Sequence, residues 1–157
     1  MRKRIINREP QDMSPPNQQW LNLETLADVE VTSEDASHAI ESALIPGVGS
    51  GWRAEQPGQQ TIRLLFREPQ TIKRVNLVFQ ESERERTQQF VLRYSSDAGH
   101  SYREIVRQQY NFSPPNTTSE CEEYAVQLDG LTTIELTIIP DIGGGPSYAS
   151  LNQLRLA

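Results

Sequence analysis

An all-β jelly-roll sandwich of about eight antiparallel strands with one short helix is the fold this sequence predicts. Three observations predict it. Apolar residues recur at every second position along most of the chain, turn signals separate those runs at spacings of about ten residues, and no stretch alternates strand with helix in the βαβ manner.

Residues 1–17 are polar, basic and then proline-rich (Pro10, Pro15, Pro16), which marks a flexible arm ahead of a sandwich domain spanning 18–157. Between 18 and 27 two readings fit equally. Asn17 caps a short helix with Trp20, Leu23 and Ala27 on one face, or Leu21 and Leu23 alternate with Asn22 and Glu24 as a short strand. Val29 and Val31 then alternate with Asp28, Glu30 and Thr32, a half-buried strand. After Ser33 and Asp35 the period changes: Ala36, Ala39, Ile40, Ala43 and Leu44 fall at helical spacing, and Pro46 through Gly51 ends that short helix in a loop.

Beyond Trp52 the strands follow one another, with apolar faces Ile62, Leu64, Phe66, then Val75, Leu77, Phe79, then Phe90, Leu92, Tyr94. Pro69-Gln70 separates the first pair, and Ser96-Asp97-Ala98-Gly99 turns the strand ending at Tyr94 into a hairpin with 102–106. Tyr124, Val126 and Leu128 form another strand, which Asp129-Gly130 turns so that Ile134, Leu136 and Ile138 return; Leu154 and Leu156 close the chain.

The chain has 157 residues and a formal net charge of −6. Arg2, Lys3, Arg4 and Arg8 against Glu9 make the first ten positions +3 and leave −9 for the rest, an acidic body ill suited to a broad phosphate-binding surface. The single cysteine, Cys121, forms no internal disulfide, and the basic start is followed by Asn7, Arg8, Glu9, Gln11 and Asp12 rather than an apolar stretch. The expectation is a cytoplasmic protein that spans no membrane.

In this order the segments resemble the discoidin, or coagulation factor 5/8 type C, domain family of galactose-binding-domain-like jelly rolls. Val31-Thr32-Ser33 with His38-Ala39-Ile40-Glu41 is similar to the family's opening strand and small helix, and Gly51-Trp52 to the tryptophan that follows it. Residues 61–66, Pro69 and 72–75 resemble its strand, proline, strand centre; residues 90–99 a strand ending in a Ser-x-Asp-Gly type turn; residues 147–154 its closing strand. Many members hold calcium through an acidic residue in the final strand and an Asp-Gly pair after the helix. Gln153 and Glu41-Ser42 stand at those places here, so the family's calcium site reads as degraded and no metal or other cofactor is expected. A narrower resemblance is to the amino-terminal domain of a DNA-break repair scaffold, carried by residues 32–35 and Gly51-Trp52-Arg53-Ala54.

The resemblance implies a binding module without catalysis, taking a glycan or another polar small ligand through loops at one end of the sandwich. It implies that Trp52 packs beneath those loops with Arg53 on their rim, that Arg84 or Arg86 reaches the ligand from the charged run 81–86, and that Tyr148 offers a face for stacking on a sugar. From the residues themselves, no catalytic set emerges. His38 and His100 are the only histidines and read as structural or solvated, and Cys121 lies between Glu120 and Glu122, whose charges disfavour a thiolate. Gly143-Gly144-Gly145-Pro146 lacks the lysine and helix start of a phosphate cradle and reads as a loop tip. Tyr110 and Phe112 either cap the core or form a protein-contact patch, the feature behind an alternative reading as an assembly subunit of an intracellular complex. Nucleic-acid binding, resting on the basic arm, ranks third.

Overall fold

A computed structural model describes residues 20–157. The expected arm at 1–17 and the Asn17 cap lie outside the described residues. Among the described residues two single-turn helices, α1 (Leu23–Leu26) and α2 (Glu41–Leu44), accompany eight strands: β1 (Ala27–Val31), β2 (Trp52–Pro57), β3 (Gln60–Gln80), β4 (Arg86–Ser95), β5 (Arg103–Phe112), β6 (Ser119–Ile139), β7 (Tyr148–Leu151) and β8 (Gln153–Leu156). The ambiguous segment before β1 is therefore one helical turn passing directly into a strand.

The frame is a pair of 21-residue strands, β3 and β6, antiparallel over their whole length from Gln60 opposite Ile138 to Gln80 opposite Ser119. The expected break at Pro69-Gln70 and the expected turn at Asp129-Gly130 are both absent as chain reversals. Instead the two strands bend together, with register shifts between Leu65 and Arg74. Pro69, which has no N–H to give to a ladder, has no opposite residue in that stretch, and Gly130 takes a φ of 66° in the matching part of β6. Bulges of this kind bend a sheet without ending it.

On one side of the bend β3 and β6 belong to the layer ordered β1-β3-β6-β4-β5; on the other, β8 pairs with Val75 to Val78 of β3. The inward rows of both halves meet in one core: Ile62, Leu64, Ile134, Leu136, Phe90 and Leu92 from the first, and Val75, Leu77, Phe79, Leu154 and Leu156 from the second. Phe79 stacks on Phe90 with ring centroids 5.2 Å apart, joining the layers directly. Each such side chain contributes roughly 1.5–3 kcal/mol by leaving water.

β4 and β5 form the expected hairpin, with Tyr94 opposite Arg103. In its turn the Ser95 hydroxyl accepts from the Asp97 and Gly99 amides while Asp97 accepts from the Ser101 amide. The expected helix over 36–44 is shorter than its periodicity, because residues 35–38 pair with the start of β2 instead. The Asp35 amide donates to the Arg53 carbonyl, and the Arg53 amide donates to the His38 carbonyl. Main-chain pairing with a strand thus overrides helical spacing in that stretch, and it sets His38 beside Arg53.

Candidate functional site

Four connections converge where β2 and β6 begin and where β3 and β7 end. They enclose an open cleft of about 350 Å³. The segment between β1 and β2 supplies His38, Ser50 and Gly51; the end of β3 supplies Gln80 and the β3–β4 connection Glu81, Ser82 and Glu83; Thr118 and Asn152 come from the β5–β6 and β7–β8 connections. The lining is mostly polar, with Trp52 as its base.

Trp52 is 1% exposed, and its indole N–H donates to the Ser33 carbonyl at 3.0 Å, so the ring supports the loops from beneath. Gly51 before it has a φ of 112°, and a Cβ there would meet the backbone of Leu151 and Asn152 at 2.8 Å. The β2 start and the β7–β8 corner therefore touch backbone to backbone, which only glycine allows. At that corner the Asn152 amide nitrogen donates to the Ser50 carbonyl and to Gln80 Oε1, binding three connections into one wall. Asn152 Oδ1 and Gln80 Nε2 keep no protein partner among the described residues, so an acceptor and a donor stand side by side. His38 bonds Asp35 through Nδ1 at 2.8 Å, which leaves Nε2 to the cleft and holds the Asp35 carboxyl below its ordinary value.

Of the residues expected at the ligand, Arg53 is exposed on the rim, and its guanidinium carbon lies 5.8 Å from the centre of the Tyr148 ring. Tyr148, 39% exposed on β7, stands beside the cleft rather than in its lining, with Arg53 between. Arg84 is exposed at the loop tip, where its amide donates to Glu81 Oε2. Arg86 departs from expectation: it is 3% exposed, so it does not reach a ligand in solvent. Its Nε donates to Glu81 Oε1 at 2.6 Å and its Nη1 to the Pro140 carbonyl and Gln88 Oε1, while the guanidinium lies over the Phe112 ring at 4.8 Å. Burial opposes the charge on Glu81, but Arg86 and the amides of Glu83 and Arg84 outweigh it and hold that carboxyl below its ordinary value.

Phe112 is fully buried, and Tyr110, half-buried, packs against the core and donates to the Ser119 carbonyl. The 143–145 glycines make a tip organised by Asp141, whose carboxylate accepts from the Gly143 amide, away from the cleft lining.

The model of the F5/8 type C domain matches residues 28–135. The chain belongs to this family. A comparison with curated protein sequences finds no match. Among solved structures, the F5/8 type C chain is similar to CpGH89CBM32-5 from Clostridium perfringens, in complex with N-acetylgalactosamine-β-1,3-galactose, at 17% identity and a TM-score of 0.65, covering 88% of this chain and 99% of that one. It is also similar to the family 32 carbohydrate-binding module of NanJ from C. perfringens in complex with galactose, at 13% identity and a TM-score of 0.64, covering 87% of this chain and 96% of that one. A third is chitosan-binding module 1 from a chitosanase/glucanase of Paenibacillus sp. IK-5, at 16% identity and a TM-score of 0.59, covering 87% and 98%. At these identities the likeness is one of fold.

Gln153 and Glu41, expected at the places of the family's calcium ligands, respectively donate to Asn76 Oδ1 at 2.7 Å and open α2; among the described residues no three His, Cys, Asp or Glu side chains gather as metal ligands. Sequence reasoning missed Gln80, Thr118 and Asn152. Each is a polar residue at or next to a strand end, and that signal assigns them to one site only when strand directions are known.

Proposed function

We propose that this F5/8 type C domain is a non-catalytic carbohydrate-binding module, and that a sugar seats in the cleft between Arg53, His38, Asn152 and Gln80 with its flank against Tyr148. The observation that carries this reading is the unspent Asn152 Oδ1 and Gln80 Nε2 pair beside His38 and the Arg53 guanidinium. Fixed donors and acceptors on a rigid wall, with one exposed aromatic face nearby, suit a polyol whose hydroxyls both give and take hydrogen bonds. Glycan binding by the structural relatives supports it. Hydrolysis is not favoured by the site, because Glu81 is committed to Arg86 and no serine of the cleft bonds His38 among the described residues.

Calorimetry with galactose and N-acetylgalactosamine at millimolar concentration, alongside a glycan array, tests the reading. Arg53→Ala and Asn152→Ala each lower affinity by about tenfold or more, the equivalent of about 1.4 kcal/mol, with unchanged circular dichroism. No heat with either sugar and no spot above background on the array sinks it.

A further inference from the structure

Buried beside the cleft is a polar chain that the binding surface does not use. Arg86 is the only cation in it. One arm of its guanidinium grips Glu81, whose other oxygen accepts from the Glu83 amide at 2.9 Å and the Arg84 amide at 3.1 Å, so the outer wall of the cleft hangs from this carboxylate. A second arm reaches Gln88 Oε1 at 3.2 Å, and Gln88, fully buried, passes its amide N–H to Glu120 Oε1 at 3.3 Å. The third nitrogen, Nη2, is buried with no hydrogen-bond partner among the described residues. A buried guanidinium nitrogen without an acceptor is costly and calls for an explanation in the surrounding charges.

Those charges are unbalanced. Glu120 is 2% exposed on the inward row of β6 with Glu122 and Tyr124, and the Tyr124 hydroxyl donates to Glu122 Oε1 at 3.0 Å. Arg86 from β4 acts on Glu120 across this row, Tyr110 from β5 bonds the Ser119 carbonyl beside it, and Glu81 from the loop after β3 shares the same Arg86. One guanidinium faces three carboxylates, of which Glu120 is buried and Glu81 and Glu122 are partly so, and a proton retained on the buried Glu120 relieves the imbalance. Burial, and then the neighbouring Glu122, push the Glu120 carboxyl up to about 8, and the same two causes push the Tyr124 hydroxyl up.

We propose that Arg86 is the positioning residue of the cleft, holding the wall at residues 81–84 through Glu81, and that its tie through Gln88 to the buried Glu120 carboxyl makes the wall's placement depend on the proton that Glu120 carries. With Glu120 neutral, Arg86 serves Glu81 and the wall is held. Once Glu120 ionises, it competes for the same guanidinium, whose spare Nη2 is the available donor, and the grip on Glu81 loosens. Arg86 touches no ligand in this scheme. The link to affinity rests on the carbohydrate reading of the cleft, whereas the link to the wall does not.

Two measurements on the full chain separate these. In ¹H–¹⁵N spectra recorded without sugar from pH 6 to 9.5, the Glu83 and Arg84 amides shift with one common midpoint; in Glu120→Gln that titration is lost. Arg86→Lys, which keeps the charge but not the fork, displaces both amides already at pH 6. Amides that do not titrate, or that titrate identically in Glu120→Gln, overturn the proposal. Calorimetry with galactose and N-acetylgalactosamine then gives affinity roughly fivefold or more weaker at pH 9 than at pH 6.5, a difference that Glu120→Gln removes. Sugar binding that ignores pH overturns the affinity link. Titrating amides in a protein that binds neither sugar support the wall mechanism and overturn the carbohydrate reading instead.

Discussion

Glu81 and Glu120 sit at opposite ends of the same buried chain and respond to acid in opposite senses. Glu81 has a lowered value in the folded state, so its stabilisation is present above the unfolded carboxyl range and is lost as pH falls. Glu120 has a raised value, so its contribution is fully present at pH below about 4.3 and is lost as pH rises toward the folded value near 8. Stability therefore passes through a maximum on the acid side of neutrality. In thermal melts, Glu120→Gln raises the midpoint at pH 9 by at least about 3 °C, the shift that about 1 kcal/mol makes in a domain of this size, and flattens the alkaline limb. A wild-type midpoint that does not fall between pH 6 and 9 contradicts this. The family resemblance placed Arg84 or Arg86 at the ligand, and the mixed charge run that holds them reads as a solvated tip. The alternation that actually governs it begins at Arg86 itself, with Arg86, Gln88, Phe90 and Leu92 all inward. A polar residue at the head of an apolar row is where period two and residue type conflict, and there the period wins.

At the scale of elements, two glycines with positive φ do different work. Gly130 bends β6 with open space where a side chain would go, whereas Gly51 is pressed against Leu151 and Asn152. Gly130→Ala costs only the left-handed backbone preference, about 1–2 kcal/mol. Gly51→Ala adds a backbone clash and must push the β7–β8 corner away from Ser50, so it costs more and also weakens sugar binding. Urea denaturation of the two variants, with calorimetry on each, checks the order; equal losses for both would refute the close approach at Gly51. The strands themselves were legible because each has one apolar face. The bend was not, since a proline or an Asp-Gly pair looks alike in sequence whether the chain reverses or merely kinks. What decides is whether the partner strand kinks too, and β3 and β6 do so together. The cleft was half legible: Trp52, Arg53 and Tyr148 followed from the family resemblance, while Asn152 and Gln80 gain meaning only from the strand directions that bring their ends together.

Across the whole molecule, the shared long strands decide how it comes apart. β3 and β6 lie in both layers, so neither half of the sandwich owns a complete set of strands. Removing one half strips the other of the apolar surface that covers it, as the Phe79–Phe90 stack across the core illustrates. Nearly all of that pairing joins residues far apart in sequence, so no early local unit is stable by itself. Ile62 and Leu77, on opposite sides of the bend and each no more than 1% exposed, are the probes. Leu77→Ala lowers stability by about 2–5 kcal/mol and Ile62→Val by about 0.5–1.5 kcal/mol, and in urea each shifts one common transition with an unchanged slope. Tryptophan fluorescence, which reports on Trp52 in the core and Trp20 against Arg74, and far-ultraviolet circular dichroism then trace the same curve for wild type and both variants. Two resolved transitions, or a Leu77→Ala variant in which fluorescence and dichroism separate, would mean that the layers unfold independently and that the bent pair does not bind them into one cooperative unit.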